Sequence, residues 1–96
     1  MSYFYSFSPE KNRKLQDERG ISFEEIIFIN SNKGILDILE PPNPDKYPNQ
    51  KIFVVNIDNY AYLVPAVFDQ EQIFLKTIIP SRKATRKYIG EDNYEL

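Results

Sequence analysis

A proline-rich segment in the middle of the chain, PPNPDKYPNQ at residues 41–50, limits the fold more than any other feature. Its four prolines exclude a helix and a central strand, because proline lacks an amide hydrogen and fixes φ. In a chain of 96 residues, a linker here would leave too little on either side for two cores. We therefore expect one domain, residues 1–96, with this segment as a surface loop. Lys46 and Tyr47 in the loop are candidates for ligand contact, and the alternative is a merely stiff connection.

The part of the chain before the loop carries the signals of two helices. Ser8 suits an N-cap, and Gly20 ends the helix that follows. ISFEEIIFINSNKG, residues 21–34, predicts a second helix in which Ser22 and Glu25 form a capping box and Gly34 is the left-handed C-terminal residue. The carboxylates at 24 and 25 also suit a catalytic pair, but capping explains their spacing without a partner.

Apolar runs predict the strands and the fold class. A short aromatic strand at the start and ILDIL before the loop are followed by three runs with short turns, which predict an antiparallel meander. The five predicted strands are Tyr3–Phe7, Ile35–Leu39, Ile52–Ile57, Tyr60–Phe68 and Gln72–Ile79. Ser81 then caps a final helix, Arg82–Ile89. The sequence predicts an α+β domain in which two N-terminal helices pack on an antiparallel sheet of about three to five strands, followed by a short C-terminal helix.

Composition narrows the chemistry. The absence of Cys and His removes thiolate nucleophiles, the usual general base and the commonest zinc ligands. We therefore expect no metal and no cofactor, and any catalysis falls to Lys, Arg, Tyr, hydroxyl or carboxylate groups. No apolar run is long enough to span a bilayer and the start does not resemble a signal peptide, so we expect a cytoplasmic protein without membrane contact.

The charge is distributed unevenly. Residues 72–90 contain five cations and no carboxylate, so they carry +5 and leave −7 for the remainder of a chain whose net charge is −2. Within the final helix Arg82 and Arg86, and separately Lys83 and Lys87, stand four residues apart and form two cationic rows. Such rows destabilise a helix slightly, whereas they favour binding of a polyanion. A solvated helix face is the alternative.

One further lysine and a tyrosine pair stand out in the predicted sheet. Lys76 interrupts an apolar run and is predicted to share its face with Phe74 and Ile78. Because a buried unpaired ammonium is costly, Lys76 must lie at an opening, beside a carboxylate or facing a groove. Tyr60 and Tyr62 share a strand face and could stack bases, with packing at the core as the alternative.

Three segments resemble motifs of the BrnT family, which are toxins of bacterial type II toxin–antitoxin pairs. Ser8–Asn12 resembles the opening Asp/Ser-Pro-Glu-Lys-Asn motif, and Arg19–Glu25 resembles a His-Gly-Val-Ser-Phe-Glu-Glu turn with Arg in place of His. Ser81–Lys87, after an Ile-Ile strand end, resembles the C-terminal signature. The resemblance covers nearly the whole chain, with the motifs in the family's order. It implies a RelE-like fold, a metal-independent endoribonuclease that arrests translation, and a ribbon-helix-helix antitoxin as partner, in a toxin–antitoxin complex that can be of higher order.

The resemblance also suggests roles for individual residues. Arg82 and Arg86 would bind the phosphate, Lys76 or Lys83 would stabilise charge or transfer a proton, and Tyr88 would protonate the leaving group or stack on a base. RNA binding would use the cations of the final helix: Arg82, Lys83, Arg86 and Lys87. The alternative is a non-catalytic module whose basic helix docks an acidic antitoxin or a nucleic acid.

Overall fold

The chain forms a mixed β-sheet with helices on both faces. The structure is a computed structural model and describes residues 4–90. In chain order its elements are β1 (Phe4–Ser6), α1 (Pro9–Arg19), α2 (Phe23–Ser31), β2 (Ile35–Leu39), β3 (Gln50–Ile57), β4 (Tyr60–Asp69), β5 (Gln72–Leu75), β6 (Ile79–Pro80) and α3 (Arg82–Tyr88). The Cα radius of gyration of 13.6 Å is that of one compact domain of this length. The predicted α+β class is confirmed; Tyr3, in the predicted first strand, lies outside the described residues.

The sheet differs from the prediction in strand number and in one pairing. It has six strands in the order β1-β5-β4-β3-β2, and β6 pairs with β4 beyond the end of β5. The meander β3 to β5 is antiparallel as predicted, with the β3–β4 turn at Asp58 and Asn59, both at positive φ. Strand β2 also pairs antiparallel with β3. However, β1 pairs in parallel with β5, so the sheet predicted as antiparallel with about three to five strands is a mixed sheet of six. Parallel neighbours need a long connection, which α1, α2 and the meander supply.

The two faces of the sheet carry different helices. One face holds the main core, in which Phe53 and Val64 of the sheet pack with Phe23 and Ile26 of α2. On the other face Ala84 of α3 packs in a smaller cluster, which includes Val54, Ala61, Leu39 and Leu63. Because successive strand residues point to opposite faces, this split follows from strands that are apolar on both sides. The sequence did not predict that α3 lies opposite α1 and α2.

Hydrogen bonds join α1 to α2 at one buried asparagine. The Ser8 cap, the Gly20 end at φ 69° and the capping box of Ser22 are all confirmed. In addition, the amide of Asn12 donates to the Glu24 carboxylate at 2.8 Å and accepts from the backbone N–H of Phe23 at 2.7 Å. The bond from Asn12 lowers the pKa of Glu24. The carboxylates at 24 and 25 thus have structural partners, and α1 contributes a buried side chain that holds the start of α2.

Gly34 does not have the predicted left-handed conformation. Helix α2 ends at Ser31, and Lys33 is the residue at positive φ, 61°. Gly34 instead lies against α2, where an added Cβ would be 2.6 Å from Cγ2 of Ile29. A glycine is therefore needed here for close approach of the backbone to the helix.

Pro65 of β4 interrupts the neighbouring strand, which was predicted to run from Gln72 to Ile79. Ala66 pairs with Leu75, and the N–H of Lys76 donates to the carbonyl of Pro65 at 2.9 Å. The return bond of such a pair would need an amide hydrogen on residue 65, which proline lacks. The strand ends at Leu75, Ile78 enters the main core and β6 begins at Ile79. The prediction that Gln72–Ile79 is one strand, with Ile78 on the face of Lys76, is therefore wrong.

Candidate functional site

The sheet face that carries α3 is covered over only part of its area. Helix α3 lies on the end formed by Leu39, Val54, Ala61 and Leu63. Cross-strand pairs place Gln50 opposite Val67, and Val67 opposite Phe74, on the same face but farther along β4. These three side chains are only half-buried. The face therefore has one end under a cationic helix and one open end.

A cleft lies beside α3, and we call it the helix cleft. Its volume is about 260 Å³, and its lining consists of Leu39, Leu63, Ser81, Lys83, Ala84, Lys87 and Tyr88. The Ser81 side chain accepts from the N–H of Ala84 at 3.0 Å and so fixes the start of α3. Thr85, fully buried, accepts from the N–H of Ala61 at 2.9 Å and holds the helix on β4. These bonds aim the lysine row at the cleft.

An aspartate that the sequence analysis did not select engages Tyr88. The Tyr88 hydroxyl donates to the Asp37 carboxylate at 2.5 Å. This bond, with the N–H of Ile38 and the nearby Lys87 charge, lowers the pKa of Asp37, and in turn the bond raises the pKa of Tyr88. Lys87 also lies 5.3 Å from the Tyr88 ring centroid. The sequence signal that could have identified Asp37 is the presence of a carboxylate in the otherwise apolar run ILDIL.

A second cleft lies at the open end of the same face, and we call it the loop cleft. Its volume is about 290 Å³, and its lining consists of Tyr47, Pro48, Asn49, Gln50, Val67 and Lys76. No residue lines both clefts. Leu63 lines the helix cleft and Val67 lines the loop cleft, and both lie on β4. These two residues are about 13 Å apart, because a strand rises about 3.3 Å per residue. The prediction that Lys76 lies at an opening or groove is confirmed.

The predicted site residues are therefore only partly brought together. Lys83, Lys87 and Tyr88 share the helix cleft, whereas Lys76 lies in the loop cleft. Arg82 and Arg86 are exposed on α3 and line neither cleft. Tyr60 and Tyr62 lie on the opposite face, where their rings pack edge to face at 5.8 Å and Tyr62 contacts the main core. These contacts favour packing at the core, rather than base stacking, as the role of Tyr60 and Tyr62.

Among residues 4–90 there is no cluster of three or more acidic side chains placed to hold a metal ion. No helix in this described part of the chain is both long and apolar enough to cross a membrane.

Comparisons with protein-family models, with curated proteins and with solved structures found no match to this chain.

Proposed function

We propose that this chain is the toxin of a bacterial type II toxin–antitoxin pair, a RelE-like ribonuclease that cleaves RNA in the cytosol and arrests translation. The proposal rests on the three motifs that resemble the BrnT family. One observation on the structure supports it most: Lys83 and Lys87 line a cleft beside the exposed arginines of α3, and Lys76 lines a second cleft farther along the same face of the sheet. Such a face attracts phosphate in spite of the negative net charge.

The contacts between motifs also agree with the resemblance. Asn12 belongs to the first motif and Phe23 and Glu24 to the second, and these residues are hydrogen-bonded to one another. In the third motif Ser81 and Thr85 hold α3 in place, which leaves its cations exposed. The motifs therefore contain residues that build the domain as well as those proposed to act on RNA.

The reaction assigned to this site is transesterification. The 2′-oxygen forms a bond to its own phosphorus, the bond from phosphorus to the 5′-oxygen breaks, and one proton leaves the 2′-hydroxyl while another reaches the 5′-oxygen. Arg82 and Arg86 bind the phosphate and its developing charge. Lys83 is better placed than Lys76 for charge stabilisation or proton transfer, because it lies on the helix that carries both arginines. Tyr88 is assigned to stacking, since its hydroxyl proton is engaged by Asp37.

Growth arrest tests the assignment of the arginines. Expression of the chain alone should stop growth, and co-expression of its ribbon-helix-helix antitoxin should restore it. The double substitution Arg82→Ala with Arg86→Ala should abolish arrest. Arg13→Ala with Arg19→Ala removes the same charge from exposed positions on α1 and is the matched control, which should still arrest growth. Arrest by the α3 variant at the parent's expression level would overturn the assignment.

The second candidate function is binding without hydrolysis. The hydrogen bond from Tyr88 to Asp37 favours this function. Tyr88 is the tyrosine of the helix cleft, and this bond engages the hydroxyl proton that hydrolysis would use. In that case the basic helix docks an acidic antitoxin segment or a nucleic acid. Charge reversal at Lys83 and Lys87 would then weaken the complex, and the purified parent would leave RNA intact.

A further inference from the structure

The loop cleft combines the side chains that recognise one unit of a single-stranded nucleic acid. Tyr47 offers an exposed aromatic ring, 43% accessible, and Lys76 offers an exposed ammonium. Asn49 and Gln50 add two amides, which can donate and accept hydrogen bonds. No carboxylate is among the lining residues, and Lys46 lies 5.6 Å from the Tyr47 ring centroid. Ring, amide and cation are the groups that stack a base, contact its edge and bind its phosphate.

The loop that carries Tyr47 is held in place by its backbone. The N–H groups of Lys46 and Tyr47 both donate to the carbonyl of Asn43, at 3.1 Å. The N–H of Gln50 donates to the carbonyl of Tyr47 at 3.1 Å, and the N–H of Phe68 in β4 donates to the carbonyl of Asn49 at 2.8 Å. Prolines further reduce the freedom of this segment. A ring on such a loop loses little entropy on binding, so its stacking energy is available for affinity.

Lys76 is placed beside this loop by the interruption of β5. Pro65 ends the ladder, yet the N–H of Lys76 still bonds to the Pro65 carbonyl, so the backbone of Lys76 is fixed where its side chain leaves the sheet. Val67 and Gln50 form the floor between Lys76 and Tyr47. The volume of about 290 Å³ is at the lower end of the range for small-molecule sites. That size suits one nucleotide and excludes a duplex.

We propose that the loop cleft is a nucleotide subsite for single-stranded RNA, in which a base stacks on Tyr47 and a phosphate binds Lys76. The strand then extends along the sheet face, with its cleaved phosphate at α3. This inference deepens the proposed function, and it changes Lys76 from a candidate for catalysis to a residue that positions the substrate.

Binding of a short labelled single-stranded RNA, followed by fluorescence anisotropy, tests the stacking contact. Tyr47→Leu should weaken binding about 5- to 150-fold, the range expected for loss of one base–aromatic stack. Tyr47→Phe keeps the ring and should bind like the parent. Phe28→Leu removes an aromatic ring that is 69% exposed on α2 and serves as the matched control. Parent-like affinity of a folded Tyr47→Leu variant would overturn the proposal.

The salt dependence of binding tests the phosphate contact. Lys76→Gln should reduce the slope of log affinity against log salt by about 0.7, the value for one phosphate of a single strand. Lys14→Gln removes a charge from an exposed position on α1 and should leave the slope unchanged. An unchanged slope in Lys76→Gln would contradict the assignment. Free AMP and UMP should compete only at far higher concentration than the oligonucleotide, and equal affinity would mean a free-nucleotide site instead.

These outcomes are separable from failure of the proposed nuclease. If RNA binds through Tyr47 and Lys76 but is never cleaved, the subsite stands and the nuclease fails. If cleavage depends on Arg82 and Arg86 while Tyr47→Leu retains parent affinity, the nuclease stands and the subsite fails.

Discussion

At the scale of single residues, the bond between Asp37 and Tyr88 joins the edge strand β2 to the last turn of α3. Each group changes the ionisation of the other. The bond stabilises the carboxylate form of Asp37, so its pKa falls below the usual 3.8, and it stabilises the neutral form of Tyr88, so its pKa rises above 10.0. The contribution of this pair to stability must therefore depend on pH at both ends of the scale.

Tyr88→Phe should lower the melting temperature most near neutral pH. The Asp37 contribution is present above pH 3.8 and is lost as pH falls through its lowered folded value. The Tyr88 contribution is present below pH 10.0 and is lost as pH rises through its raised folded value. The melting curves of parent and variant should therefore converge at both extremes. Tyr47→Phe, at an exposed tyrosine of the loop cleft, is the control; a Tyr88→Phe difference that is constant over pH would contradict this account.

At the scale of elements, the connection from α2 to β2 depends on Gly34. Backbone geometry at Lys33 turns the chain, and Gly34 then approaches Ile29 closely enough that its N–H donates to the Ile29 carbonyl at 2.8 Å. A side chain at position 34 would push against both the Ile29 methyl group and that carbonyl.

Gly34→Ala should destabilise the domain by about 1–3 kcal/mol, because the added methyl group overpacks against Ile29. Urea denaturation measures the change. Gly20→Ala is the comparison: nothing lies within 4 Å of its added Cβ, so only its left-handed backbone at φ 69° opposes the substitution. If overpacking is the cause, Ile29→Ala should reduce the cost of Gly34→Ala in a double-mutant cycle. An equal cost in both backgrounds would rule it out.

The helix caps and turns were predictable because their signals are local. Ser8, Ser22 and Ser81 each cap a helix, as their spacing to the following residues indicates. Pairings across the chain were not predictable, since nothing in the sequence of β1 or β5 specifies a parallel partner 68 residues away, the separation between Phe4 and Gln72. The interruption of β5 has a physical cause in the neighbouring strand, where Pro65 lacks the amide hydrogen that would continue the ladder. The cations of α3 were found from sequence, whereas their separation from Lys76 required the topology.

At the scale of the whole molecule, the two faces of the sheet differ in what they carry. Its one face holds the main core under α1 and α2, which gives the domain its stability. Its other face carries α3, two clefts and three of the lysines selected from the sequence. We propose that this second face binds single-stranded RNA and that the RNA is cleaved beside α3.

The most direct test is incubation of the purified parent with single-stranded RNA in the presence of a metal chelator. The parent and Arg13→Ala with Arg19→Ala should produce fragments that end in a 2′,3′-cyclic phosphate. Arg82→Ala with Arg86→Ala should react at least about 100-fold more slowly, as expected when charge stabilisation is removed from the transition state. Intact RNA with the parent, or equal rates for the two double variants, would contradict the account.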